Sequence, residues 1–113
     1  MAGTLKRISG PAYIASSAGN IYTPPASTIY TVIKHIRIAN KTAGPVTATL
    51  YVGSTGGSAA GTEILEAKSV AAHDVYDQFF SPGLYMASGD FLSGIASAGS
   101  SLVITVMGEQ GVV

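Results

Sequence analysis

The chain has 113 residues, no cysteine, and six basic against six acidic side chains, so its formal net charge is zero. That length suits one domain with a buried core. The charge balance excludes a basic field for nucleic acid, and the missing thiols exclude disulfides and a thiolate zinc site. Charged residues make up 11% of the chain and hydrophobic ones 47%. A typical charged fraction is ~25%. So bare a surface protects poorly against association, which predicts that copies of the chain or a partner cover part of it. No apolar run reaches the ~18 residues of a membrane span. Ile8-Ser-Gly-Pro11 breaks any apolar segment after Lys6 and Arg7. A soluble protein without an N-terminal export signal is therefore expected, with no membrane partner.

In chain order, Thr4 to Ile8 reads as a short strand ended by Gly10-Pro11, and residues 1–10 as an extended N-terminal arm. Ala12 to Ala15 and Asn20 to Thr23 form a second candidate pair around Ser16-Ser-Ala-Gly19. Pro24-Pro25 marks a strand end or a crossover. Two long β-type runs follow, Ile29 to Asn40 and Pro45 to Val52, joined by Lys41-Thr-Ala-Gly44. They predict a central two-stranded ribbon. Val46, Ala48, Leu50 and Val52 alternate with Thr47, Thr49 and Tyr51, giving one apolar and one wettable face. In the first run Ile29, Thr31 and Ile33 keep one phase while Ile36 and Ile38 keep the other. A β-bulge near Lys34-His35 reconciles them.

Gly53 to Gly61 reads as a flexible surface loop. Strands are predicted over Ile64 to Val70 and Val75 to Phe80, with a turn at Ala71 to Asp74. Ser81-Pro-Gly83 is a turn signal before a short Leu84 to Met86. Ser88-Gly-Asp90 turns into Phe91 to Ser97, and Ala98-Gly-Ser100 into a final strand from Leu102 to Met107. Many short strands and no credible helix predict a single all-β domain over residues 1–113. The expected architecture is an antiparallel β-sandwich of about eight strands in jelly-roll-like order. A ribbon alone is too small to be stable. The expected core is Ile36, Ile38, Val46, Leu50, Val52, Ile95, Leu102, Ile104 and Val106.

No constellation reads as catalytic, so the chain is not expected to be an enzyme. Ser17 in Ala15-Ser-Ser-Ala-Gly19 imitates a nucleophile elbow, but prolines rather than a helix follow it. His35 lies between Lys34 and Arg37 with no acid nearby in sequence. His73-Asp-Val-Tyr-Asp77 holds ligand-type groups at no recognised metal spacing and reads as an Asp-initiated turn. The glycine-rich loop lacks the Lys and the helix of a phosphate cradle. Asn40-Lys-Thr42 fits a glycosylation sequon, but a hairpin turn is the preferred reading. No cofactor or metal is expected. Tyrosines spread over the strands suit interface anchors, which selects Tyr22, Tyr30, Tyr51 and Tyr76 together with Lys6 and Arg7 of the arm.

The order Tyr22-Thr-Pro-Pro25, Ile36-Arg-Ile-Ala-Asn40, Thr47-Ala-Thr-Leu-Tyr-Val52, Ala60-Gly-Thr62, Val75-Tyr-Asp77, Ser88-Gly-Asp90 and Leu102-Val-Ile-Thr-Val106 covers most of the chain. It resembles small virion proteins of tailed bacteriophages, β-sandwich or jelly-roll modules of capsid decorations, fibres and tail appendages. These motifs are strand-and-turn patterns, specific for fold and weak for position in the virion. The resemblance implies a capsid decoration (cement) protein on the outer capsid surface. Its partners would be the major capsid protein and itself, as a homotrimer. A chain without shaft or coiled coil favours decoration. The alternative is a fibre-tip or tail adhesin module binding host-surface carbohydrate.

Overall fold

The computed structural model describes residues 5–112. Eight strands follow in chain order: β1 (Lys6–Tyr13), β2 (Gly19–Tyr22), β3 (Thr28–Asn40), β4 (Val46–Gly53), β5 (Glu63–Val70), β6 (Val75–Ala87), β7 (Phe91–Ala96) and β8 (Leu102–Val112). They pair as an antiparallel double ribbon whose tip is the β4–β5 connection: β1 with β8, β2 with β7, β3 with β6, β4 with β5. Wrapping this ribbon on itself adds the β3–β8 and β4–β7 ladders. Two four-stranded sheets result. Sheet A runs β1-β8-β3-β6 and sheet B runs β2-β7-β4-β5. This is a jelly-roll β-sandwich, as the strand count and turn spacing predict.

The inner faces meet through alternating side chains. Ile33, Ile36, Ile38, Leu102, Ile104 and Val106 come from sheet A; Val46, Ala48, Leu50, Leu92 and Ala96 come from sheet B; all are buried. The expected bulge in β3 is present: both ladders of β3 shift register between Ile33 and His35. It turns Lys34 and His35 away from the core together, so Ile33 and Ile36 both point in. Val52 packs at the margin of the core. Ile95 departs from the expected core. It faces outward and is half-buried opposite Thr49, because Leu92 and Ala96 hold the inward phase of β7.

The central ribbon is not formed. β3 belongs to sheet A and β4 to sheet B, so Lys41–Pro45 is a corner between sheets rather than a hairpin. Asn40, buried at 2% exposure, explains the corner. Its Nδ2 donates to the carbonyls of Gly44 (2.9 Å) and Val70 (3.0 Å). Its Oδ1 accepts from the backbone N–H of Thr42 (2.9 Å) and the Thr42 hydroxyl (2.7 Å). The sequon asparagine is thus consumed inside the fold. The Ala12–Ala15 and Asn20–Thr23 pair also separates, since β1 joins sheet A and β2 joins sheet B. Pro24-Pro25 lies at the crossover from β2 to β3, as read.

Residues 6–10 of the expected arm belong to a strand. Lys6 and Arg7 pair with Gly108 and Met107, and β1 continues past Gly10-Pro11 to Tyr13. Gly10, at φ +81°, makes this passage: an added Cβ would collide with the carbonyl of Ile104. The first four residues of the arm lie outside the described residues. Ser81-Pro-Gly83 is likewise no turn between strands but an excursion within β6. Phe79 pairs with His35 and Leu84 with Ile33, so both halves of β6 stay on β3. The loop of residues 54–62 is tied down, with Gly57 N–H donating to Asn20 Oδ1 (2.8 Å) and Ser58 N–H to Ser93 Oγ (2.8 Å).

Candidate interaction surface

The exposed large apolar side chains are unevenly placed. Val75, Phe79 and Tyr85 lie on β6, Tyr13 on β1, Leu5 just before β1, and Ile29 on β3. Among the described residues sheet B contributes none of them. The edges of sheet A are β1 and β6, so the apolar exposure concentrates where the sheet's ladders end.

On the outer face of β6, Val75, Asp77 and Phe79 share one phase opposite Ala39, Arg37 and His35. The Phe79 ring stacks on the His35 imidazole at 4.3 Å and 9° while staying 69% exposed. Arg37 holds Asp77 with two hydrogen bonds, Nε to Oδ1 (2.8 Å) and Nη2 to Oδ2 (3.3 Å). His35 Nε2 donates to the same Oδ1 at 2.8 Å. The carboxylate, an acceptor only when ionised, sets that direction. The hydrogen bonds of Arg37, then of His35, hold the Asp77 carboxyl below the usual carboxylate range, and Asp77 in turn raises Arg37. Farther along, Tyr85 stacks with Tyr30 at 6.2 Å and 20°. Lys34 Nζ donates to the Pro82 carbonyl (2.6 Å), bracing the excursion in β6.

The residues singled out from sequence divide. Lys6 and Arg7 are exposed at the start of β1. Tyr30 lies on the outer face of sheet A, and Tyr51, half-buried, on the outer face of sheet B between Glu63 and Ser93. Tyr22 is not a surface anchor. It is 6% exposed and its hydroxyl bonds Thr31 Oγ1 and Gln110 Nε2 across the interior. Tyr76 is half-buried and turned inward against the core margin, with Lys68 Nζ 4.8 Å from its ring centre. Val75, Phe79 and Tyr85 went unselected. The signal for the first two was Asp77, whose charge marks its phase of β6 as the outer one.

No three His, Asp or Glu side chains converge on a metal position among the described residues. His73, at φ 53°, sits in the Ala71–Asp74 turn, where Asp74 Oδ1 accepts from Val75 N–H (2.8 Å). Asp77 is engaged by Arg37 and His35 instead. A cleft between the ends of β1 and β2, lined by Tyr13, Asn20, Ile21 and Gly94, encloses about 130 Å³. Ligand pockets usually need ~300–1,000 Å³.

No protein-family model and no curated protein matches the chain. Solved structures do. A subunit of the disulfide-linked pili that form Bacillus endospore appendages superposes with a TM-score of 0.53 at 18% identity, covering 100% of this chain and 91% of its own. A protein of infectious bursal disease virus, Gx strain, gives a TM-score of 0.49 at 12% identity over 92% of this chain, which spans 30% of its length. A pentameric capsid protein from metagenomic phage sequences gives 0.42 at 15% identity over 91% of this chain and 60% of its own. The pilus subunit shares the fold along nearly the whole of both chains. Viral capsid proteins are among the structures to which the chain is similar.

Proposed function

We propose that this chain is a non-catalytic structural subunit of a virion that decorates a bacteriophage capsid and stabilises it by binding across major capsid protein subunits. The observation that carries the reading is the concentration of exposed apolar side chains on the edges of one sheet, in a chain with 11% charged residues. A face of this kind is built to be covered by protein. On this reading the protein sits on the outer capsid surface as a homotrimer. The resemblance to tailed-phage virion modules supports it.

A fibre or tail module is the second reading, and the full-length likeness to a pilus subunit favours it. A fibre of this chain would lack the linkage named for those pili, since the chain has no cysteine. Purified particles separate the two. Quantitative mass spectrometry giving hundreds of copies per particle supports decoration, and a few copies per particle overturns it. Particles stripped of the protein should rupture at lower temperature, and re-addition should restore them. Intact thermal resistance with failed adsorption to cells would favour a tail adhesin instead.

A further inference from the structure

We infer that copies of this chain associate side by side in one orientation, the β6 edge of one copy meeting the β1 edge of the next, so that sheet A continues through the assembly. The inference rests on the reading of the chain as an assembly subunit and names the surface that joins the copies.

Strand direction comes first. β1, β8, β3 and β6 alternate in direction, each antiparallel to its neighbour. A sheet of four such strands begins and ends on opposite directions. A second copy placed alongside without inversion therefore presents β1 antiparallel to β6, the favourable pairing.

Register agrees. Tyr13, Val103, Ala39 and Val75 form one row across the sheet, and Arg7, Met107, His35 and Phe79 form another. Both rows lie on the outer face. Continuing them sets Tyr13 of the next copy beside Val75, two exposed apolar side chains, and Arg7 of the next copy beside Phe79, whose ring is open. A guanidinium over an exposed aromatic ring is an attractive contact. The excursion at residues 80–83 and the irregular stretch of β1 between Arg7 and Ala12 confine the contact to these two rows.

Charge is compatible with this pairing. β1 carries Lys6 and Arg7 and no acid, whereas β6 carries no base and one acid, Asp77, already paired with Arg37 of its own chain, so the meeting edges bring no like charges together. A contact between different edges is heterologous. Rotation about an axis parallel to the strands closes it into a ring, and an added rise makes a fibre.

The absence of cysteine gives a clean test. Facing antiparallel residues have Cα atoms ~4.5–5.5 Å apart. A disulfide spans ~4.4–6.8 Å. The doubly substituted Tyr13→Cys, Val75→Cys protein, oxidised at high micromolar concentration, should give a ladder of covalent dimers, trimers and higher species on a non-reducing gel. Each single variant should give none above background. Both positions are substantially exposed, so the variants should keep the parent's circular dichroism. As a second readout, Val75→Lys and Tyr13→Lys should each weaken self-association at least ~10-fold by sedimentation. Mixed together, they should form a one-to-one dimer through the edge each retains. No ladder from the double variant, equal cross-linking by a single variant, or no dimer on mixing overturns the inference. Because no capsid enters this test, copies can link while particle binding fails, or the reverse, and the two readings fall separately.

Discussion

The side-chain amide of Asn40 uses its full capacity, two donated and two accepted hydrogen bonds, inside a corner that carries the chain from sheet A to sheet B. Asn40→Ala would leave the Val70 carbonyl without this donor, while the Gly44 carbonyl keeps only the Thr42 hydroxyl. A buried group so orphaned costs ~1–3 kcal/mol. Urea unfolding should therefore show a loss of at least about 2 kcal/mol. Asn40→Asp should be at least as damaging, because it turns an acceptor toward two carbonyls. Asp77 behaves differently because it is accessible. Its carboxyl lies below the usual range in the folded protein, so the unfolded chain takes up this proton at the higher pH. The stability it brings is complete above the ordinary value of ~3.9 and is lost as pH falls through the lower folded value. Asp77→Asn should thus lower the unfolding midpoint most at pH 7, the gap narrowing as pH falls below ~3.9 and through the lowered folded value. A gap that stays constant throughout the acid range would assign the residue another role.

At the scale of strands, burial could be read from alternation and pairing could not. Val46, Ala48 and Leu50 announce the inner face of β4, and the phase break between Ile33 and Ile36 announces the bulge of β3. Both signals are local periodicities of side-chain direction. Partners are a different matter. β3 and β4 look like a hairpin because a short polar link joins them, yet Asn40 bends that link into an inter-sheet corner, a role its residue type does not declare. Ser81-Pro-Gly83 has the residues of a turn, and only the register of β3 on either side shows that it interrupts a strand. Ile95 and Leu50 test the faces directly. Leu50 is 1% exposed in the middle of the core, so Leu50→Ala should cost ~2–5 kcal/mol. Ile95 faces outward, so Ile95→Ala should cost about 1 kcal/mol or less. Equal costs by chemical denaturation would mean that the faces of β7 are misassigned.

For the molecule as a whole, sequence led to the expectation of a covered surface but did not locate the exposed apolar side chains. The charge deficit pointed to association, and tyrosine type then pointed at residues of which Tyr22 is interior and Tyr76 turned inward. Exposure falls instead on Val75, Phe79 and Tyr85, because which strand becomes an edge depends on the wrapping of the whole ribbon. On the decoration reading, this edge surface has a consequence for binding. A domain of this size offers a modest interface to each capsid subunit, and one contact alone is weak. A closed assembly of copies presents several contacts together. After the first forms, the others become intramolecular, and avidity can exceed single-site affinity by ~10²–10⁴ with no new contact type. The protein should therefore bind an assembled shell at least ~100-fold more tightly than the isolated capsid subunit. The same linkage stabilises the shell, since a ligand engaging subunits only when they are assembled draws the equilibrium toward assembly. Val75→Lys should reduce shell binding and leave binding to the single capsid subunit almost unchanged, because it removes the coupling between copies and not the contact with the capsid. Surface plasmon resonance on immobilised shells and on immobilised subunits measures both. An equal loss on the two surfaces would place Val75 in the capsid contact itself.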